Sequence, residues 1–470
     1  MKFLLFGTGD YYDRYKKWFS REDVLALLDN SPSKQETFLD GIPVLSPEKG
    51  VTLPFDIIVL LSFYVKEMKI QLEKLGVSSD KIVHFFDLHR LIDLNNQRKP
   101  IQYYGRARKI IDSDDKSEKK VLLLSHDLNQ GGPAIALYHA ARILKKNGYE
   151  TVYGSMLDGP LRSRLLAEKI PVVVDNNLQI GTMREAEWTG SFSLLLCNTI
   201  SYYIFLSERS PDVPVIWWLH DSAFFYDGVD RRILQGLDRR NLQMASVGPV
   251  PHDAFCRIVP ALPFQRLLYG VEDTGRRTQK TEKELVRFRF VTIGYIEWRK
   301  GQDLLLQAVR NLSRELRDRA EFCLIGQNCS AMAQQLREET ETMPEVRILG
   351  PMDRGRIDQI LENADLLICP SREDPMPTVT AEAMMHSVPC LISDATGTSA
   401  YLHDGTDGLI FRSENVDELS EKIAWCILHR RELAEMGLRA RKVYETHFSM
   451  EVFEQKLLPV VEDALRSVAL

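Results

Sequence analysis

Short apolar runs alternate with helix-spaced segments along almost the whole chain, and this predicts an α/β protein built from Rossmann-like units. Three observations carry the reading. The runs KFLLFG, VLLLSHD and FRFVTIG each open a new series, each is followed by a turn and then by a helical pattern, and glycine stands at the strand-to-helix junctions. With 470 residues the chain exceeds what one core usually supports, so several domains are expected.

Composition narrows the function classes. Apolar residues make up 44% and charged residues 27%, an ordinary globular balance. Sixty Lys and Arg against 66 Asp and Glu give a net charge of -6, which argues against a general nucleic-acid binder. The seven cysteines are odd in number and form no CxxC pair, which fits a reduced, cytoplasmic setting. The N-terminal apolar run is too short for a signal peptide, and no stretch approaches the roughly 20 apolar residues of a membrane span.

Residues 1–94 read as a small additional α/β domain with strands KFLLFG, VLALLDN, DIIVLLS and KIVHFF. Gly7 and Gly9 after the first strand, with Asp29 ending the second, are two parts of a dinucleotide fingerprint, but Tyr12 stands at the third glycine position. Weak or absent nucleotide binding is therefore expected, with a role in positioning the enzyme, a partner or an acceptor. Residues 95–119 mix both charge signs around few apolar anchors and read as a linker. Asp112 and Asp114 formally make a DxD metal pattern, yet no apolar strand leads into it, so a solvated charge run is the reading and no metal site is expected.

Residues 120–280 form the next unit. Gly131 and Gly132 precede a helix and leave its N–H groups open to a ligand. His220 and Asp221 follow the buried-looking strand VIWWL, where open α/β sheets bind ligands. Residues 281–446 form a third unit. Its first strand ends at Gly294, and Arg299 and Lys300 stand just before a helix with apolar residues at Leu304, Leu305, Ala308 and Val309. Cations there oppose the helix dipole unless an anion lies between them, so a diphosphate would turn the arrangement favourable.

Further on, LLICPSREDPMPTVTAEAMMHSVPCL joins a strand, a polar loop and a helix that cannot begin before Thr378, because Pro370, Pro375 and Pro377 forbid it. Asp374 lies in the loop and Glu382 about one turn into the helix. The N–H groups at the helix start, near Pro377 to Val379, favour an anion. Residues 447–470 read as a C-terminal helix that crosses back to brace the first half.

The stretch SREDPMPTVTAEA, with HSVPCLISD, GTSAYLHDGTDGLIF, WWLHDS and RKG in the same order, resembles the retaining GT-B glycosyltransferases of family 4. That resemblance covers about 350 residues and implies two facing Rossmann-like domains, the second holding a nucleotide-sugar donor, here preceded by the extra domain. It implies that Arg299 and Lys300 hold the donor diphosphate and that His220 contacts the sugar. Gly131, Gly132, Gly294, Met376, Pro377 and Thr378 would line the donor, and Glu382 would take the ribose hydroxyls. The family's first acid corresponds to Asp374, with Glu373 beside it, and either can face the sugar. Many members carry Arg after the glycine, where this chain has Tyr295.

The resemblance thus implies a metal-independent transferase that uses a nucleotide-diphosphate sugar, UDP among the candidate carriers, as substrate rather than cofactor. The acceptor would be a carbohydrate, a lipid-linked glycan or a glycoprotein in bacterial polysaccharide or glycoconjugate biosynthesis. Cytoplasmic location is expected, with peripheral attachment at the inner membrane face or in a biosynthetic complex left open. Three rivals stand beside this. A glycosidase would use Asp374 and Glu382 as its acid pair but has no need of two cations. A non-catalytic sugar-nucleotide binder and a GT-B epimerase are the others. Because the site motifs all follow residue 119, the chain from about 118 onward is expected to fold alone.

Overall fold

The computed structural model describes residues 1–62, 64–92, 97–113, 119–275, 287–326 and 331–467. The chain divides into two compact units, one of Met1–Met244, Ala254–Pro263 and Asp463–Leu470, the other of Ala245–Asp253 and Phe264–Glu462. The expected boundary at 280/281 falls outside the described residues.

The first unit holds two sheets. The first orders its strands β3-β4-β2-β1-β5-β6, with β1 Phe3–Phe6, β2 Val24–Leu28, β3 Thr37–Leu39, β4 Ile42–Leu45, β5 Ile57–Leu60 and β6 Ile82–His84. Only β3, at the edge, is antiparallel. FLLF of β1 is buried at every position, as a parallel strand covered on both faces must be. The order reverses beside β1. The chain runs outward through β2 and β4 on one side, then returns to place β5 and β6 on the other.

The second sheet uses β7 Gln102–Tyr104, β8 Lys120–Ser125, β9 Glu150–Ser155, β10 Val172–Val174, β11 Leu194–Asn198, β12 Val215–Leu219 and β13 Leu242–Ser246, in the order β13-β12-β11-β8-β9-β10-β7, with the three-residue edge strand Phe264–Arg266 next to β13. The segment 95–119 is therefore more than the expected linker. Its β7 pairs antiparallel with β10, Tyr104 facing Val172, and a short helix, Ala107–Ile111, buries Ala107, Ile110 and Ile111. An edge strand needs few apolar residues, and charged neighbours hid this one.

The two sheets share one unit, contrary to the expectation that the chain from 118 onward is independent. The Trp18 indole, 2% exposed, donates to Gln179 Oε1 at 3.0 Å. Phe86 meets Tyr203 edge-on at 6.0 Å, Lys17 Nζ reaches Asn176 Oδ1 at 2.7 Å, and Arg14 pairs with Asp127 at 3.2 Å.

The second unit contains one parallel sheet, β16-β15-β14-β17-β18-β19, made of β14 Phe288–Ile293, β15 Ala320–Ile325, β16 Val346–Leu349, β17 Leu366–Cys369, β18 Cys390–Ser393 and β19 Leu409–Phe411. Phe290, Phe322, Leu366, Ile368 and Leu391 fill its core with helix residues Leu305, Val309 and Ile423. Order reverses between β14 and β17, so the loops after these strands flank the switch point where open sheets bind ligands. The last helix, Met450–Arg466, starts in this unit, and its residues from Asp463 belong to the first.

Candidate active site

In the second unit the loop after β14 is stitched to the loop after β17. Residues Trp298–Lys300 form one 3-10 turn, which ends at Gly301 with φ 67°. A Cβ at Gly301 would stand 2.0 Å from the Pro370 carbonyl oxygen, so only glycine lets the two loops approach. Arg372 then bridges them. Its guanidinium makes a two-pronged pair with Asp303 at 2.8 and 2.7 Å and lies 4.7 Å over the Trp298 ring.

This frame brings Lys300 and Asp374 into a direct ion pair, with Asp374 only 5% exposed. Arg299 donates to the Glu373 carbonyl oxygen at 3.0 Å and to Glu297 Oε1 at 2.7 Å, and its Nε has no partner among the described residues. Burial works against the Arg299 charge, but Asp374 and Glu297 outweigh it and raise the pKa. Both cations thus have local anions, which corrects the expectation that they stand unneutralised before a helix. Of the two neighbouring acids, Asp374 turns its carboxylate into the loop pair, while Glu373 meets Arg299 through its backbone. Gly294, at φ 151°, lies beside the Lys300 stem.

A helix, Thr378–Met385, begins after Pro377 as the prolines require. The carbonyl oxygen of Pro377 accepts from the Tyr269 hydroxyl at 2.8 Å, and Met376 is buried beneath the loop. Glu382 is 3% exposed, and an Arg354 nitrogen lies 2.6 Å from its Oε1 without hydrogen-bond alignment. Arg354 was not singled out in the sequence. Its only signal is a place in the loop PMDRG, far from Glu382 in the chain.

The first unit carries candidate residues of its own. A helix, Gly132–Lys146, begins with Gly131 as its N-cap, and a Cβ on Gly131 would meet nothing within 4 Å. Space and backbone do not demand glycine there, so the open helix start is what it provides. His220 follows β12, its ring tilted on Trp218 at 4.3 Å. Burial, then the neighbouring His126, lowers its pKa to about 3, so it is neutral over the physiological range. Its Nε2 is shielded and unpartnered among the described residues, as are His126 Nδ1, Asn198 Oδ1 and Thr199 Oγ1. These groups sit at the C-terminal ends of the adjacent strands β8, β11 and β12, and such buried orphans call for a polar guest. Asp221 accepts the Ile200 N–H at 2.7 Å, and burial raises its pKa to about 7. Asp127, held by Arg14, was also missed, because its partner comes from the extra domain.

Asp112 pairs with Arg108 at 2.7 Å on the surface, and Asp114 lies outside the described residues. Among the described residues no group of three or more His, Cys, Asp or Glu is placed to hold a metal.

Residues 274–443 match the family model for glycosyl transferases group 1, residues 117–239 that for glycosyl-transferase family 4, and residues 1–83 that described as C2185-like, N-terminal. The D-inositol 3-phosphate glycosyltransferase of Nocardia farcinica is 30% identical over 155 residues, covering 32% of this chain and 34% of its own. The N,N'-diacetylbacillosaminyl-diphospho-undecaprenol alpha-1,3-N-acetylgalactosaminyltransferase of Campylobacter jejuni is 24% identical, over 36% of this chain and 43% of its own. The chain thus spans well under half the length of these two curated relatives. The crystal structure of Anabaena HepE in complex with UDP and glucose matches 73% of this chain and all of its own, with a TM-score of 0.63 at 18% identity, a likeness of fold. The chain belongs to the group 1 glycosyl transferases, the family 4 enzymes of GT-B fold.

Proposed function

We propose that the protein transfers a sugar from a nucleotide-diphosphate sugar to a carbohydrate, lipid-linked or protein-linked acceptor, with retention of anomeric configuration and without a resident metal. The observation that carries this reading is the Lys300–Asp374 ion pair at the strand-order switch, with Arg299 beside it. Breaking a glycosyl phosphate bond builds negative charge on the departing diphosphate, so fixed cations and N–H groups stabilise the transition state more than the ground state. Lys300 and Arg299 supply the cations, and the helix starts after Pro377 and Gly131 supply the N–H groups. Asp374 holds the Lys300 ammonium in place and, with Glu373, offers acceptors for sugar hydroxyls. Glu382 takes the ribose hydroxyls, and neutral His220 donates to the sugar.

The UDP and glucose in the HepE structure support a uridine diphosphate donor, and the name of the Campylobacter relative supports a lipid-linked acceptor. No helix among the described residues is long and apolar enough to cross a membrane, and the reading is a cytoplasmic enzyme attached peripherally where its acceptor is lipid-linked. The test is a screen of UDP-, GDP- and dTDP-sugars for hydrolysis and for transfer to candidate acceptors, with the product anomer assigned by NMR. Turnover of one donor with retained configuration is expected. An inverted product, or no turnover across the screen, overturns the reading.

A further inference from the structure

The geometry points to a second ligand site in this chain, in the N-terminal sheet, that takes the vicinal diol of an uncharged polyhydroxy molecule. A cavity of about 440 Å³ opens at the C-terminal ends of β1, β2 and β5. That volume is ordinary for a small-molecule pocket, and the place is where the strand order reverses. It lies in the first unit, on a sheet of its own, and does not rest on the donor-site reading.

Two glycines shape the mouth for different reasons. Gly7 has φ 115°, and a Cβ there would stand 2.5 Å from the Leu61 carbonyl oxygen, so the turn itself requires it. Gly9 is in extended backbone, φ -95° and ψ -155°, and a Cβ would meet nothing within 4 Å. Neither strain nor packing accounts for Gly9, and its bare Cα widens the cavity.

The chemistry of the wall selects the ligand. Asp29, at the end of β2, is held by the Ser31 N–H at 2.8 Å and by the Thr8 hydroxyl. Its third partner is the half-exposed Lys34 at 3.2 Å, a contact a ligand hydroxyl can replace. A carboxylate has about four acceptor positions, so the place Lys34 yields and the one left open suit two adjacent hydroxyls. Tyr64, 57% exposed, stands on the wall as an aromatic face.

A phosphate is disfavoured on three counts. Asp10, Asp29 and Glu67 line the cavity and no Lys or Arg does. The helix that follows Gly9, Asp10–Tyr15, is too short to offer a developed dipole. At the third glycine position Tyr12 is 2% exposed and bonded to Asp40, so backbone cannot close on a pyrophosphate there. The GxG and the acid are thus retained for a diol without the diphosphate that usually accompanies them. A free nucleoside and a saccharide unit share this chemistry.

The test is saturation-transfer NMR on the full chain with uridine, 2′-deoxyuridine, methyl α-glucoside and UDP, against wild type, Gly9→Leu, Asp29→Asn and Lys34→Ala. Gly9→Leu fills the cavity without backbone strain, and Lys300→Ala serves as the control for the donor site. Expected is a uridine or methyl glucoside signal that Gly9→Leu abolishes, Asp29→Asn weakens at least tenfold, and Lys34→Ala and Lys300→Ala preserve. Loss of the signal from 2′-deoxyuridine alone assigns a nucleoside, whereas a glucoside signal without uridine assigns a saccharide. The proposal is overturned if neither ligand gives a Gly9→Leu-sensitive signal, or if UDP binds this cavity more tightly than uridine and loses affinity in Lys34→Ala. Loss of every signal in Lys300→Ala alone would place binding in the donor site and equally overturn it.

Discussion

The ammonium of Lys300 rests on the carboxylate of Asp374, and their side chains are 18% and 7% exposed. Each charge is therefore desolvated, and each depends on the other. In the proposed site a donor diphosphate entering beside them would compete with Asp374 for Lys300, and the same pair would then serve both folding and binding.

Lys300→Ala is expected to lower kcat by about 10²- to 10³-fold, the usual cost of losing one transition-state donor. It should also destabilise the fold by about 3 kcal/mol, because Asp374 is left buried and unpaired. The double variant Lys300→Ala, Asp374→Asn should recover most of the stability and none of the activity. Urea unfolding and initial rates measured together check this. Near wild-type rates in the double variant would remove Lys300 from the proposed diphosphate site.

Glu382→Gln should raise the donor KM roughly tenfold, the loss of about 1.4 kcal/mol from one charged hydrogen bond to ribose. A 2′-deoxyribose donor should show a smaller difference between the two proteins. Equal KM values for wild type and variant would remove Glu382 from the binding site.

Asp221 and His220 pull stability in opposite pH directions. The Asp221 pKa is raised to about 7, so its stabilising state is fully present below the unfolded value near 3.9 and is lost as pH rises through 7. The His220 pKa is lowered to about 3, so its contribution is present above the unfolded value near 6.5 and is lost as pH falls from there. Asp221→Asn keeps an acceptor for the Ile200 N–H. Its Tm relative to wild type should therefore rise between pH 5 and pH 8, and a pH-independent difference would show that Asp221 stays ionised in the fold.

Trp18→Ala should cost about 3 to 5 kcal/mol, as large aromatic truncations in cores do. Since Trp18 bonds Gln179 in the neighbouring sheet, unfolding should lose cooperativity in both sheets. Hydrogen exchange that loosens only residues before 90 would contradict a shared unit.

Dialysis against EDTA should leave turnover intact, because in the proposed site Lys300 and Arg299 supply the positive charge at the diphosphate. Complete loss, restored by Mn²⁺ or Mg²⁺, would require a metal site elsewhere in the chain.

Much of the second unit was legible in the sequence. Its strands are short, mostly apolar runs, its loops are fixed by proline and glycine, and the spacing of Asp374 and Glu382 survives as one loop and one helix turn. What the sequence hid are pairings between distant loops. Arg354 on Glu382, Asp303 on Arg372 and Arg14 on Asp127 join segments that share no periodicity. The neutralising partner of Lys300 lay 74 residues away, so dipole reasoning from the local helix missed it. The edge strand β7 escaped for another reason, since its three residues are only partly buried and carry no alternating apolar pattern.

That edge strand decides where such a protein can be cut. Anyone grafting a different leading module onto the catalytic chain would naturally join it at residue 119, ahead of the apolar β8. Doing so would strip β10 of its antiparallel neighbour and leave a row of unpaired N–H and C=O groups, an invitation to sheet-to-sheet aggregation. In any exchange of modules the strand should travel with the second sheet, and the incoming module would have to supply new partners for Gln179 and Asp127.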